Sequence, residues 1–225
     1  MFMTYNARTV WITDTGMTAL LLMLAVTIFV APFVAAPFGD AGRALLELFF
    51  VLVLLSGAWA IADHRKIATL LAVLGVGALA IAWLPIPSLA AVKPLVHQVA
   101  TLLAAILLAV MVGIRVFSSG RITTDRIMGA VALYLLLGVA WGNAYEIVAH
   151  LDAAAFEGSA AVSGGVERWF YFSFVTLTTV GYGDITPVAR AARVLAIGAA
   201  MVGQLYPAIV LARLVTLQAA PPPAE

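Results

Sequence analysis

The sequence predicts an all-α membrane protein with six transmembrane helices. Of its 225 residues, 64% are hydrophobic and only 10% are charged, whereas soluble domains are about half apolar and about a quarter charged. The mean hydropathy of +1.09 points the same way. A helix needs about 20 residues to cross the hydrocarbon core and satisfies its own backbone polar groups there, so each long apolar run is expected to be helical.

The predicted spans follow one another along the chain. The first lies within 25 uncharged residues between Asp14 and Asp40, and it is expected at about 16–36. The second is expected at about 44–62. The third comes from the uncharged run 67–92 and is expected to end near Pro85 and Pro87. The remaining three are expected at about 94–115, 127–148 and 190–215. With the N-terminus inside, seven of the twelve Lys and Arg residues fall on the inner side. This weak positive-inside bias predicts a multi-pass protein of the cell membrane with both termini cytoplasmic.

The composition excludes several function classes. The net charge of +1 offers no basic footprint for nucleic acid, and the absence of cysteine excludes disulfides and Cys-based metal sites. The sequence contains no nucleotide-binding loop, no pair of catalytic acids and no nucleophile motif. We therefore expect no enzyme activity, no cofactor, and no nucleotide or nucleic-acid partner, with membrane lipid as the surroundings.

One apolar stretch is too short to be a span. Trp169 to Gly183 contains 15 uncharged residues, and as a helix it would rise only about 22 Å. Its glycine-rich end also disfavours plain helix. We expect a short helix at about 168–178 that enters the membrane and returns. Non-helical backbone at that depth is tolerated only where it is buried in protein or lines a water-filled path, so the sequence predicts a pore or cavity.

The end of this stretch carries a motif. Thr179-Val180-Gly181-Tyr182-Gly183 follows Thr176 and Thr178, precedes Asp184 and lies between two predicted helices. On these residues the chain resembles the tetrameric potassium-channel superfamily, and in particular its bacterial six-span members with one such pore loop per chain and no cytoplasmic regulatory domain. The resemblance implies a re-entrant pore helix and selectivity filter between helices 5 and 6, and a pore built by a homotetramer.

The resemblance also implies how the permeant ion, K⁺, is bound. Four sites would be lined by the carbonyls of Thr179, Val180, Gly181 and Tyr182, and the Thr179 hydroxyl would contribute to the innermost site. Carbonyls replace the water shell of K⁺ without the deep trap that a carboxylate would form. Pointing successive carbonyls inward requires backbone angles of alternating hand, and Gly181 and Gly183 tolerate a positive φ.

Three neighbouring residues are candidates for supporting the filter: Asp184, Thr178 and Val175. Some members of the superfamily have a glutamate at the position of Val175, where it pairs with the filter aspartate. Valine removes that partner, so we expect Asp184 to bond to an aromatic side chain or to the backbone instead.

The last predicted span contains two candidates for a gating hinge. Gly203 lies twenty residues after Gly183, at a position where the superfamily commonly has a hinge glycine. Pro207 permits a kink because it removes a helix hydrogen bond. The alternative for Gly203 is close helix packing, which small residues serve in membranes.

The first four spans lack the arginine ladder of a voltage sensor. Nothing basic lies between His97 and Arg115 in the fourth span, and steep voltage dependence requires several charges to move. We predict a four-span N-terminal domain over 1–120, a pore domain over 121–217 and a disordered tail over 218–225.

The sequence-based prediction is therefore a passive, potassium-selective channel that is not voltage-gated. Two alternatives stay open: a weakly selective cation channel on the same frame, and a membrane interaction protein whose pore does not conduct. Polar residues within the spans are expected to serve packing or local hydrogen bonding, namely Glu47, His97 and Gln98, or to support the region of the pore helix, namely Asn143 and Glu146.

Overall fold

The computed structural model describes residues 16–35, 38–60, 65–83, 92–118, 123–158 and 167–219, and these are mainly helical. The helical elements in chain order are α1 (Gly16–Ala25), a π-helical segment (Val26–Val30), α2 (Ala31–Ala35), α3 (Asp40–Ala60), α4 (Arg65–Trp83), α5 (Lys93–Phe117), α6 (Thr124–Leu151), α7 (Glu167–Leu177) and α8 (Arg190–Ala219). Two short strands, β1 (Phe156–Glu157) and β2 (Thr186–Pro187), pair antiparallel.

Within the described residues, helix covers the predicted spans and the short helix before the motif, whereas the end of the third predicted span, after residue 83, lies outside the described residues. Among the described residues, four helices are long and apolar enough to cross a membrane, namely Gly16–Val34, Lys93–Phe117, Thr124–Leu151 and Arg190–Arg213. The apolar parts of α3 and α4 are shorter, Ala44–Trp59 and Thr69–Ala78. The chain is thus a helical membrane protein, and the crossing of the membrane by α3 and α4 stays a prediction. The predicted tail lies mostly outside the described residues.

Local sequence explains several helix boundaries. Pro94 stands in the first turn of α5, where its missing N–H has no intrahelical partner to lose. Thr123 caps α6, because its hydroxyl accepts the backbone N–H three residues later at 3.3 Å. At the first residue of α2, the N–H of Ala31 bonds to the Val26 carbonyl five residues back. This wider π spacing stands next to Pro32, which cannot donate to the carbonyl four residues before it.

The chain divides into two compact units. One comprises Met1–Pro85, Ala104–Ser119 and Thr123–Leu136, and the other comprises Ile86–Leu103, Gly120–Ile122 and Leu137–Glu225. We call them the first and the second unit. Helices α5 and α6 each contribute residues to both, and the sequence-based division at residue 120 stays a prediction.

Leucine side chains pack onto glycines in the first unit. Gly57 of α3 faces Leu108 of α5, and Gly75 of α4 faces Leu54 of α3. A buried carboxylate adds a polar contact: Asp125 accepts the backbone N–H of residue 17 at 3.1 Å. The first N–H groups of a helix lack intrahelical partners, so this carboxylate satisfies one donor at the start of α1.

Aromatic rings fill the core of the second unit. Phe156 of β1 packs against Trp169 of α7 with ring centroids 4.8 Å apart. Tyr145 of α6 meets Phe172 of α7 edge to face, also at 4.8 Å. Such pairs add about 0.5–1.5 kcal/mol each beyond the area that they bury. Helix α7 is therefore held by α6 and by the loop that carries β1.

Candidate functional site

Helix α7 ends in a Schellman motif centred on Thr179. The Val180 N–H bonds to the Val175 carbonyl at 3.0 Å, and the Thr179 N–H bonds to the Thr176 carbonyl at 3.0 Å. Thr179 has a φ of 60°, the left-handed conformation for which this motif usually employs glycine. For a β-branched residue that conformation costs on the order of 1–3 kcal/mol. The chain therefore leaves α7 through a strained residue that the surrounding hydrogen bonds hold in place.

Positive φ then recurs at every second position of residues 179–183, which we call the motif segment. The φ angles are 60° at Thr179, 56° at Gly181 and 77° at Gly183, whereas Val180 and Tyr182 have no positive φ. The expected positive φ at both glycines is present, and Thr179 adds a third that sequence reasoning did not anticipate. Because the backbone alternates in hand, successive carbonyls can face one side, unlike those of an ordinary strand.

Two of the candidate support residues, Val175 and Thr178, take part in hydrogen bonds at the end of α7. The Val175 carbonyl also accepts the Gly181 N–H at 3.3 Å, so it binds two consecutive amides of the motif segment. Thr178 bonds to the Phe174 carbonyl through both its N–H, at 2.9 Å, and its hydroxyl, at 2.6 Å. Both contacts fix where the motif segment begins.

Asp184 is held by an aromatic hydroxyl and by the backbone. It accepts the Tyr171 hydroxyl at 2.7 Å and the Ile185 N–H at 3.1 Å. The Tyr171 ring in turn stacks on Tyr182, with centroids 6.5 Å apart and planes at 5°. The bond to Asp184 raises the pKa of Tyr171 to about 12, so at neutral pH the phenol stays protonated and donates. These are the two kinds of partner that the absence of a glutamate at Val175 predicted.

The loop before α7 is bonded to the residues that follow the motif segment. The Ala155 carbonyl accepts the N–H groups of Val188 at 2.9 Å and of Ala189 at 3.2 Å. Gly158 has a φ of 120°, and a Cβ there would overlap the Asp184 carbonyl. Only glycine lets the two segments approach this closely. Arg193 adds a bond from its Nε to the Pro187 carbonyl at 3.2 Å.

Helix α7 lies on a glycine face of α6. A Cβ at Gly142 would stand 2.6 Å from a ring carbon of Phe170, and a Cβ at Gly138 would overlap the Phe174 ring. The Ser173 hydroxyl donates to the Gly138 carbonyl at 2.6 Å. Sequence reasoning missed these two glycines, although their spacing of four is the small-residue pattern of close helix contacts in membranes.

Gly203 of α8 is a site of close packing. It is buried, and a Cβ there would overlap the Leu177 carbonyl at the end of α7. Helix α8 continues through Gly203 and Pro207 without interruption, so the hinge role of these residues stays a prediction. The next residue, Gln204, donates from its Nε2 to the Thr179 hydroxyl at 3.0 Å. Nothing in the sequence had singled out Gln204.

The polar residues of the middle spans join α5 to α6. The Thr101 hydroxyl donates to Asn143 Oδ1 at 3.0 Å, and Gln98 Nε2 donates to Glu146 Oε1 at 2.9 Å. Gln98 forms a hydrogen bond as expected, but its partner lies 48 residues away in sequence, on another helix. Glu47 of α3 is half-buried. Polar side chains of two helices thus bond to each other where hydrocarbon offers no other partner, although the buried Gln98 Oε1 has no hydrogen-bond partner among the described residues.

Comparison with known proteins agrees with this architecture. A family model described as "Ion channel" matches residues 131–218, which contain α7, the motif segment and most of α6 and α8. Protein LctB of Bacillus caldotenax is 32% identical over 107 residues, which cover 45% of this chain and 79% of that protein. No solved structure matches the chain significantly. On the strength of these two matches, the chain belongs to the ion-channel family.

Proposed function

We propose that the protein is a passive, potassium-selective channel formed by four copies of the chain, and not an enzyme. The observation that carries this proposal is the alternating backbone of the motif segment, with positive φ at Thr179, Gly181 and Gly183. In the proposed pore, carbonyls of residues 179–182 and the Thr179 hydroxyl replace the water shell of K⁺. Because carbonyl oxygens bind K⁺ without a full negative charge, ions can enter and leave in succession.

The exposure of the motif segment supports a pore built from several chains. In the single chain, Val180 and Tyr182 are 53% and 71% exposed. Large apolar side chains at the end of a re-entrant helix are unfavourable in contact with water, and neighbouring copies would cover them. One chain supplies one filter strand, whereas a carbonyl ring of this type needs four. A homotetramer satisfies both requirements.

One face of α8 offers a surface on which neighbouring copies can pack. Val194, Ile197, Met201, Leu205 and Ile209 are each more than half exposed in the single chain. They recur at intervals of three or four residues, so they form one continuous stripe along the helix. In the proposed tetramer this stripe faces adjacent subunits and the central cavity, and gating at Gly203 or Pro207 would move it.

The proposed topology has six spans with both termini cytoplasmic in the cell membrane. Helices α3 and α4 have apolar stretches shorter than the other spans, and their flanking residues complete the crossing by snorkelling or local thinning of the bilayer. Helix α5 carries basic residues only near its ends, Lys93, His97 and Arg115. With so few charges to move through the field, we propose that voltage does not gate this channel.

The test is ion flux into liposomes that contain the purified full chain, first in a K⁺ gradient and then in a Na⁺ gradient. Two matched variants isolate the backbone argument, Gly181→Ala and Gly77→Ala. An added Cβ meets nothing within 4 Å at either position, but only Gly181 has a positive φ. We expect rapid K⁺ flux and little Na⁺ flux in the wild type and in Gly77→Ala, and a loss of flux or selectivity in Gly181→Ala.

The other outcomes separate the alternatives. Equal passage of both cations would favour the weakly selective cation channel. No flux of either cation, across the pH values and lipid compositions in which the protein stays assembled, would favour the non-conducting membrane interaction protein.

A further inference from the structure

The hydrogen bond between Gln204 and Thr179 links the last helix to the first residue of the motif segment. Gln204 Nε2 lies 3.0 Å from Thr179 Oγ1, and both side chains are exposed in the single chain. The bond joins residues 25 positions apart. It therefore depends on how closely α8 approaches the end of α7.

Two features bring these groups together. The buried Gly203 lets α8 approach the Leu177 carbonyl more closely than any side chain would allow. On the other side, the Schellman motif holds the Thr179 backbone at a φ of 60°. The Gln204 amide is thus presented to a hydroxyl whose own backbone cannot move away without breaking the end of α7.

A threonine hydroxyl has one hydrogen to donate and two lone pairs to offer. To bind a cation, Oγ1 must direct a lone pair at the ion and keep its hydrogen elsewhere. An N–H donated by Gln204 occupies the other lone pair and restricts rotation of the Thr179 side chain. A cation ligand that is already oriented loses less conformational entropy when the ion arrives.

We propose that Gln204 is a positioning residue for the innermost cation site, where its amide holds the Thr179 hydroxyl with an oxygen lone pair available to K⁺. The inference rests on the proposed function, since it assigns a role within the same filter. It gives α8 a second effect on conduction besides gating: a shift of α8 that breaks this bond would also weaken the innermost site.

The test is the K⁺ dependence of thermal unfolding of the purified full chain in detergent, with KCl exchanged for NaCl at constant ionic strength. This measurement needs no open gate, because an ion that binds only the folded form stabilises it by mass action. Gln204→Met preserves length and removes the donor. A net hydrogen bond is worth about 1 kcal/mol, so we expect the midpoint of K⁺ stabilisation to rise about fivefold in this variant.

Three further variants make the result specific. Leu211→Met changes an exposed residue of the same helix that is not part of the apolar stripe, and it should leave the midpoint unchanged. Gln204→Asn keeps the amide but shortens its reach, so it should reproduce the shift and serves if Gln204→Met does not assemble. In a Thr179→Ala background the partner oxygen is gone, and Gln204→Met should then produce no additional shift.

The outcomes are distinguishable. A shift of equal size with and without the Thr179 hydroxyl, or an unchanged midpoint with a lower unfolding temperature in K⁺-free buffer, would show that Gln204 only packs and would overturn the inference. A wild-type protein that K⁺ stabilises no more than Na⁺ would contradict the proposed function itself, and the inference with it.

Discussion

Glycines in the two units of the chain meet different kinds of neighbour. In the first unit, Gly57 and Gly75 face the ends of leucine side chains. In the second unit, Gly138 faces the Phe174 ring and Gly203 faces a backbone carbonyl. A leucine tip can change rotamer, whereas a packed ring or a main-chain oxygen cannot yield without moving a helix. The same residue type therefore marks adjustable packing in one unit and a fixed backbone position in the other.

Backbone conformation follows the same division. Among the described residues of the first unit, positive φ occurs only at Gly39, in the turn before α3. The second unit concentrates it in Gly158 and the motif segment, including a threonine. Strain of this kind persists only where surrounding contacts over-determine the conformation. The second unit is thus the part in which structure is specified most tightly, and it contains most of the region that matches the ion-channel family.

The largest predicted effect is that of Gly203→Ala. The added methyl would overlap the Leu177 carbonyl, so α8 must separate from α7, at a cost of about 3 kcal/mol or more. We expect loss of most assembled protein, and of K⁺ flux in what remains, measured by size-exclusion chromatography and liposome flux. Gly77→Ala is the matched control, since nothing lies within 4 Å of its added Cβ.

This variant also separates the two interpretations of Gly203. If the residue served only as a hinge, alanine would leave the assembled protein as stable as the wild type, or more stable by its helix propensity of about 1 kcal/mol. Only the opening of the channel would then change. Normal assembly with altered flux would therefore remove the close-packing interpretation.

The positions of the helices could be predicted because bilayer thickness imposes a length on uncharged runs. The kind of partner that Asp184 has could be predicted, since the side chain of Val175 cannot form a hydrogen bond with it. The positive φ of Thr179 could not be predicted, because threonine disfavours that conformation and only the hydrogen bonds of the Schellman motif impose it. Phe156 could not either, since it lies in a loop without periodicity and its burial depends on residues of α6 and α7.

Long-range contacts of the candidate site were the other part that sequence reasoning missed. No sequence pattern indicates a role for Gln204. Its contact with Thr179 depends on the close packing of α8 against the end of α7 at Gly203. Gly138 and Gly142 do carry a signal in their spacing, but that pattern does not name the element that packs on it. A single sequence records which residues are small or polar, and the pairing of those residues is settled only when the helices are packed.

The next effect in size is predicted for Gly158→Ala. At this position the left-handed φ of 120° and the overlap with the Asp184 carbonyl act together. Gly39→Ala is the matched control, since Gly39 has a φ of 53° and nothing within 4 Å of an added Cβ. We expect about 1 kcal/mol of destabilisation for Gly39→Ala and about 2–4 kcal/mol for Gly158→Ala, measured by thermal unfolding. Equal losses would mean that the loop does not brace the end of the motif segment.

Tyr171→Phe should have a smaller and more specific effect. It removes the hydroxyl that Asp184 accepts and leaves the ring stacked on Tyr182. We expect normal assembly with a several-fold loss of sustained K⁺ flux, because Asp184 loses its side-chain donor. Tyr145→Phe is the matched control, since the buried Tyr145 hydroxyl has no hydrogen-bond partner among the described residues, and its removal should leave flux unchanged.

The pH dependence sharpens that prediction. The pKa of Tyr171 is raised from 10.0 to about 12 in the fold. Because the pKa of Tyr171 is higher in the folded state, its hydrogen bond contributes fully to stability at pH values below the pKa of the unfolded chain. This contribution is lost as the pH rises through the pKa of the folded state. The difference in sustained K⁺ flux between the wild type and Tyr171→Phe should therefore be constant from about pH 6 to 8. A difference that changes in this range would point to another titrating group as the cause.

The smallest effect is predicted for Gly57→Ala in the first unit. The added methyl would collide with the tip of Leu108, but this flexible side chain can rotate away. Overpacking is then offset in part by the better helix propensity of alanine, so we expect a net change within about 1 kcal/mol and unaltered flux. Gly77→Ala is the reference variant, because nothing lies within 4 Å of its added Cβ. Its free energy of unfolding should be higher than that of the wild type. If Gly57→Ala instead cost as much as Gly203→Ala, the leucine contacts of the first unit would be as rigid as the backbone contacts around α7. The fixed part of the molecule would then extend well beyond the region of the motif segment.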